Sequence, residues 1–286
     1  VSADLGLAEH YVTVDQPRRA LEALDDAGAE LVEEPAYWYL RALAHYRLDE
    51  DREAARLAST GLERDPASTD LLRLLALARS ELDELAEAER AVLAGLELDP
   101  DDPTLLCTYA RVLARGGQLE KAERVLDEAA RLDPHAREVV RTRSLIAYLR
   151  GHDRRARRLT EELLAEDPED ADAHRMRGAV LLNGGDARGA RASLETAVRD
   201  DPTDHSLADV TRGARVALHP LLWPMVPFAR LGVGGSWVTA ITLIFGLRAL
   251  GFDTASAVAS GVWIALVAYS WVAAPLITRW LERRGR

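Results

Sequence analysis

The stretch PTLLCTYARVLARGGQLEKAERVLDEAARLDPHA, residues 103–136, decides how the rest of the chain is read. It closes on Asp133-Pro134, and the same dipeptide stands at Asp65-Pro66, Asp99-Pro100, Asp167-Pro168 and Asp201-Pro202, in unbroken steps of 34. A fixed period of this length is the mark of one supersecondary unit used repeatedly, and it has to be recognised before any single element is assigned.

Numbering each unit from residues 1, 35, 69, 103, 137 and 171 aligns the columns. Position 20 is Ala20, Ala54, Ala88, Ala122, Ala156 and Ala190. Position 8 is Ala8, Ala42, Ala76, Ala110, Ser144 and Gly178, and position 27 is Ala27, Gly61, Gly95, Ala129, Leu163 and Ala197. Small residues at fixed intervals let two helix backbones approach closely. Each unit divides into two helices at a turn near position 15, marked by Gly116-Gly117, Gly151 and Gly184-Gly185, because glycine takes the positive φ that follows a helix end. Asp102 is a natural N-cap with Pro103 at the first helical position. Leu119, Ala122, Val125, Leu126 and Ala129 then recur at helical spacing.

This pattern resembles the tetratricopeptide-repeat family, a helix-turn-helix unit of the same period with small side chains at positions 8, 20 and 27, a turn near 15 and proline at 32. The resemblance covers residues 1–204 and implies an all-α, right-handed solenoid whose role is to bind partners. The first unit departs from it at Val32, where proline is expected. Arg41, Arg143, Arg177 and Arg79 occupy positions 7 and 11, where the family packs apolar side chains, so those helices are expected to be rotated or loosely packed.

By the same resemblance, helix-A positions near 2, 5, 9, 12 and 13 line a concave groove. They hold Tyr39, Tyr46, Arg47, Arg73, Arg111, Arg115, Arg141, Tyr148, Arg175 and Asn183, with Leu43, Leu77 and Leu145 between them and with Glu9, Asp70, Glu81, Glu138 and Asp172 as the acidic members. Two readings stand. Guanidinium forks match carboxylates bidentately and tyrosine supplies rigid contact area, so the groove binds an acidic peptide or helix; alternatively the arginines are solvated partners of neighbouring Asp and Glu. The family's lysine-and-asparagine clamp for a terminal carboxylate is missing, since position 9 holds Leu43, Leu77, Arg111, Leu145 and Ala179.

The tail differs in composition. Residues 205–218 read as a helix capping the last hairpin, and residues 219–230, apolar but carrying three prolines, read as an interfacial or merely hydrophobic linker rather than a continuous helix. Residues 231–286 follow as a hairpin with a basic end. Its uncharged runs, Leu231–Leu247 and Thr254–Thr278, predict two transmembrane helices over about 231–250 and 255–278, with two buried core helices as the alternative. Gly232, Gly234 and Gly235 suit close helix packing. Arg212, Arg215 and Arg230 precede the hairpin and Arg279, Arg283, Arg284 and Arg286 follow it, which by the positive-inside bias puts both ends in the cytoplasm. No signal peptide opens the sequence, in keeping with a cell-membrane protein whose N-terminal domain is cytoplasmic.

The net charge of −11 conceals a split: residues 231–286 carry five arginines against Asp253 and Glu282, leaving −14 on residues 1–230. An acidic body opposes nucleic-acid binding. Cys107 is the one cysteine, excluding an intrachain disulfide and a thiolate metal cluster, and it reads as a small apolar filler. Neither the seven histidines nor the glycines form a metal, Walker-type or dinucleotide motif. No catalytic residue, metal or cofactor is expected. The sequence reads as a membrane-tethered adaptor or scaffold, not an enzyme. The alternative is an assembly or stability factor for a membrane complex, acting through the hairpin.

Overall fold

The computed structural model describes residues 3–26, 31–32, 34–134, 136–200, 211 and 226–269, and among them every regular element is helical. The first helices of the six repeats are α1 (Ala3–Thr13), α3 (Pro35–Arg47), α5 (Thr69–Glu81), α7 (Pro103–Arg115), α9 (Arg137–Leu149) and α11 (Ala171–Asn183). The second helices are α2 (Pro17–Asp26), α4 (Asp51–Arg64), α6 (Leu85–Leu98), α8 (Leu119–Leu132), α10 (Asp153–Glu166) and α12 (Ala187–Asp200). From the second repeat onward the first helix starts at position 1 and the second at position 17, without drift. Two more helices follow, α13 (Val226–Ala249) and α14 (Asp253–Ala268).

One backbone device makes all six turns. The residue at position 15 takes positive φ in every repeat: Asp15, Asp49 and Asp83 at 53°, 57° and 62°, then Gly117, Gly151 and Gly185 at 75°, 73° and 76°. The N–H of position 16 donates to the carbonyl of position 11 at 2.8–3.0 Å, and that of position 15 to the carbonyl of position 12 at 2.9–3.2 Å. This pair of bonds is the Schellman motif, which satisfies carbonyls a helix end leaves open. Glycine marks three of the turns in the sequence; in the other three the same conformation falls on aspartate, one of the few side chains that tolerates it.

Helix starts are specified as locally. Ser68 Oγ accepts from the Leu71 N–H at 3.3 Å, Asp102 Oδ1 from those of Thr104 and Leu105 at 2.7 and 3.3 Å, and Asp170 Oδ1 from that of Ala173 at 3.0 Å. The small columns are the contact points expected of them. All six alanines at position 20 have no exposed surface, and Ala8, Ala42, Ala76, Ala110 and Ser144 at position 8 have none either. A Cβ on Gly61 would lie 2.8 Å from Leu71 Cδ1, and one on Gly178 would lie 2.5 Å from Leu194 Cγ. Leu163, the large residue at position 27, is nevertheless buried.

The chain divides into two compact units, residues 1–168 and 169–286. In the first, consecutive first helices pack on one another, α1 on α3, α3 on α5, α5 on α7 and α7 on α9, and α2, α4, α6 and α8 each pack on the first helix that follows. The first helices are therefore the inner row of this stack. Two of the arginines at positions 7 and 11 are held by ion pairs: Arg41 donates to Asp25 Oδ1 at 2.6 Å and to the Tyr37 hydroxyl at 2.8 Å, and Arg79 pairs with Glu84.

In the second unit α11 packs on α12 and α13 on α14. The α13–α14 link repeats the repeat turn: Gly251 has φ 82°, its N–H donates to the Arg248 carbonyl, and that of Phe252 donates to the Leu247 carbonyl. Helix α13 begins at Val226, inside the stretch the three prolines led us to read as linker. Pro227 falls in the first turn, where a backbone N–H has no helical acceptor to lose.

Among the described residues, no helix is long and apolar enough to cross a membrane. The two predicted spans thus lack support within them. Helix α14 is described over 16 residues, about 24 Å, short of the roughly 30 Å of a hydrocarbon core. The rest of the second run, the basic end and, apart from Thr211, the predicted capping helix lie outside the described residues.

Candidate functional site

The inner row of the first unit carries the residues assigned to the groove. Four short networks organise them. At one end the Arg47 guanidinium lies 3.6 Å from the Asp15 carboxylate, both side chains being about half exposed. Next, Arg73 reaches back one full repeat to donate to the Tyr39 hydroxyl at 3.4 Å and pairs with Asp70 at 3.5 Å. Burial pushes the Tyr39 phenol up, with Arg73 opposing and Asp70 reinforcing the rise.

The third network spans three repeats. Arg111 Nη1 donates to Glu138 Oε1 at 3.4 Å, with the Tyr46 phenol close to its guanidinium, while Arg141 Nη1 donates to Glu138 Oε2 at 3.3 Å. One carboxylate is therefore shared by two guanidiniums. Burial disfavours the Arg111 charge, but Tyr46, Glu138 and Glu81 together outweigh it and hold the guanidinium above its ordinary value. Burial also pushes the Tyr46 phenol up, against the pull of Arg111.

In the fourth network Arg115 donates to Glu81 Oε2 at 2.7 Å and to its carbonyl oxygen, again one repeat back. Asp51 faces this pair. Burial, then the charges of Glu81 and Asp49, raise its carboxyl to about 6 despite Arg115.

Seven of the ten predicted residues thus enter these networks. Tyr148 is half-buried on α9. Arg175 and Asn183 are exposed on α11, in the other unit. Each arginine of the first unit named here has a carboxylate of its own chain beside it, as in the reading that pairs them with neighbouring Asp and Glu, so this face is not an open cationic channel. Two of the contacts were legible as columns, since Tyr39 and Arg73 share position 5 and Glu81 and Arg115 share position 13. Cys107 is wholly buried, and burial, then Glu138, push its thiol up to about 12; it fills space rather than reacts. Among the described residues no group of three or more His, Cys, Asp or Glu is placed to hold a metal ion.

A different face belongs to the α13–α14 hairpin, whose polarity is inverted relative to a water-soluble helix pair. Ser236, Ala240 and Ser256 are buried between the helices, Ser256 Oγ donating to the Ile244 carbonyl at 3.1 Å. Val238, Ile241, Leu243, Phe245, Val258, Val262 and Ile264 are exposed. A cavity of about 210 Å³ opens between the helices, lined by Ala240, Leu243, Ile244, Val262, Trp263 and their neighbours, and Trp237 meets Trp263 edge to face at 5.5 Å.

The family model described as tetratricopeptide repeat matches residues 73–137 and 146–205. Over those residues the chain is similar to tetratricopeptide repeats. A thermophilic tetratricopeptide-repeat protein of Thermus thermophilus aligns over 64% of this chain and 99% of its own at 19% identity, with a TM-score of 0.56. A chain of the APC/C hetero-tetramer Cut9–Hcn1 shares the fold over 74% of this chain and 42% of its own at 15% identity, TM-score 0.57. PilW, described as a widely conserved type IV pilus biogenesis factor, does so over 72% and 96% at 18% identity, TM-score 0.51. At these identities the likeness is one of fold. No curated protein matches the chain. Tetratricopeptide repeats are protein-interaction modules and typically non-enzymatic scaffolds, and their partners are proteins or peptides.

Proposed function

We propose that this chain is a non-enzymatic adaptor that holds a protein partner beside a membrane, gripping it on the inner face of the repeat stack and anchoring through the C-terminal hairpin. The observation that carries the anchoring is the inverted polarity of α13 and α14. Large apolar side chains in contact with water are unfavourable by about 25 cal/mol per Å², whereas small and hydroxyl residues at the helix seam with bulky residues outside suit a lipid environment. The uncharged run continues in the sequence to Thr278 and is followed by Arg279, Arg283, Arg284 and Arg286, which supports an inner-membrane hairpin with both ends in the cytoplasm.

For the groove, half-buried tyrosines and arginines with leucines between them are the residue types that dominate interface energetics, and an acidic peptide or helix is the occupant their chemistry fits. Tethering raises the local concentration of whatever binds there. The test is crosslinking with mass spectrometry in intact membranes. Crosslinks from the inner helices α5, α7 and α9 to one partner, lost on charge reversal at Arg73 and Arg141, are the expected result; a pull-down unchanged by that reversal removes the groove from the proposal. A reporter fused after Arg286 and active only outside the cytoplasm would overturn the topology.

The cavity between α13 and α14 favours a second reading, in which the hairpin packs against other apolar helices and the protein serves assembly of a membrane complex. Exchange of the hairpin for an unrelated anchor separates the two. An adaptor keeps its activity, and an assembly factor loses it.

A further inference from the structure

The second helices of the first unit carry an arginine column that changes character along the stack. Position 22 is Arg56, Arg90, Arg124 and Arg158. In the second and third repeats position 19 supplies the partner from one turn earlier: Arg56 pairs with Glu53 at 2.5 Å and Arg90 with Glu87 at 3.0 Å. In the fourth and fifth repeats position 19 is Lys121 and Arg155, so the column keeps its cation and loses that carboxylate. Lys121 turns back to Glu89 at 3.1 Å and to the Tyr109 ring. Arg124 and Arg158 are exposed and form no ion pair among the described residues.

The cations concentrate at the start of α10, where Asp153 is followed by Arg154, Arg155, Arg157 and Arg158. All four arginines are exposed. Arg157 donates to Glu161 Oε1 at 2.9 Å, while Arg154 and Arg155, like Arg158, form no ion pair among the described residues. Arg154 and Arg158 are four residues apart and Arg155 and Arg158 three, so like charges share one helix face, which weakens a helix. They also stand at its N-terminal end, where the macrodipole disfavours cations. Neither effect is relieved by a nearby carboxylate: Glu162 and Glu166 lie on the second half of α10, and Glu120 and Glu123 of α8 are engaged by Arg150 at 3.4 and 3.1 Å.

The charge of the rest of the unit narrows what this face can meet. Residues 1–136 carry 30 acidic and 15 basic side chains, whereas residues 137–160 carry eight arginines against Glu138 and Asp153. An anionic surface is therefore repelled by most of the first unit and admitted at this island. The island is too short for the extended basic footprint that tracks a nucleic acid, and it lies on a second helix, away from the inner row proposed for a peptide. Exposed guanidiniums suit phosphate oxygens, which they bind through paired N–H groups. We propose that Arg154, Arg155 and Arg158, with Arg124 one repeat earlier in the column, dock this face on the phosphodiester headgroups of an anionic bilayer. This deepens the membrane reading of the hairpin and rests on it. An apolar hairpin enters a bilayer of any headgroup charge, whereas the arginine face responds to that charge.

The test reads the arginines directly. The full chain is placed in nanodiscs of phosphatidylcholine alone or of an equal mixture with phosphatidylglycerol, and modification by phenylglyoxal is followed site by site by mass spectrometry. Arg154, Arg155 and Arg158 are expected to react about fivefold more slowly in the charged bilayer, a difference that shrinks as salt rises. Arg56 and Arg90 are expected to react alike in both. Arg154→Gln combined with Arg158→Gln should remove most of the protection of Arg155 and, by relieving like-charge repulsion, leave the melting temperature unchanged or higher. Arg158→Lys keeps the charge and should leave Arg154 and Arg155 protected; if it loses protection as the glutamine pair does, charge is not the cause and the proposal falls. Equal reactivity in the two bilayers overturns it. So does equal protection in phosphatidylcholine discs by added duplex DNA or polyglutamate, which would assign the face to a nucleic acid or an acidic protein. A chain that does not enter the discs means failure of the hairpin reading, and the reaction is then read on the free chain mixed with vesicles of the two compositions. Protection by the charged vesicles alone sustains the arginine face, and its absence overturns it.

Discussion

Asp51 stands at the first position of α4 with its carboxyl raised to about 6 by burial and by Glu81 and Asp49. Because its pKa is higher in the fold than in the unfolded chain, its contribution favours folding at low pH and is lost as pH rises from about 4 through 6. A rise of this size is worth at most about 3 kcal/mol in a dry site; Asp51 is half-exposed, and solvent screening leaves about 1 kcal/mol. Asp51→Asn is therefore expected to melt like the wild type near pH 4 and several degrees higher above pH 7, measured by circular dichroism. Equal melting temperatures at both pH values would show that Asp51 is freely solvated. Cys107 gives a second prediction. With no exposed surface and a thiol at about 12, it should resist iodoacetamide at pH 8 while the chain is folded and react once denaturant opens the stack; rapid labelling of the folded chain contradicts its place in the core. At this scale the sequence left two readings of the inner-face arginines open, and it did not say which carboxylate of another repeat each one meets. Glu138 lies most of a repeat beyond Arg111 in the chain, and only the packing of α9 on α7 makes them neighbours.

Turns and helix seams decide stability at the scale of elements. Asp83 holds a φ of 62° on an exposed turn, where glycine is free of the strain a side chain brings. Asp83→Gly is expected to raise stability by about 0.5–1 kcal/mol. Gly178→Ala should lower it by about 1–3 kcal/mol, since the new methyl would meet the branch point of Leu194 rather than a flexible tip. Thermal unfolding of the two variants checks both signs, and a destabilised Asp83→Gly would mean that the aspartate side chain contributes more than its backbone costs. The turn at position 15 was legible where glycine announced it. For Asp15, Asp49 and Asp83 the signal lay only in their alignment with those glycines, because the bonds that fix the conformation are backbone bonds that carry no residue signature. The reverse happened at Pro227, where a residue read as a helix breaker stands in the first turn of α13, the one part of a helix that does not need its N–H.

For the whole molecule, the exposed apolar belt of α13 and α14 sets the expectation. The full chain should remain with sedimented membranes after an alkaline wash, and replacing Val238, Phe245 and Ile264 by serine should shift it measurably into the supernatant; quantitative release of the unaltered chain would refute the tether. What the sequence determined by itself was the repeat: its period, its register over six units, its small contact columns and most of its turns. These are set by interactions inside a single repeat, which spacing and residue type express directly. Tertiary structure alone decided two other matters. It brought carboxylates of neighbouring repeats onto Arg47, Arg111 and Arg115 of the inner face, turning an apparent cationic channel into a set of internally paired sites, and it sorted the hairpin's side chains into a small, polar seam and a bulky apolar exterior. Both depend on which surfaces meet through space, because charge and burial are properties of a residue's surroundings and a linear pattern records only the residue.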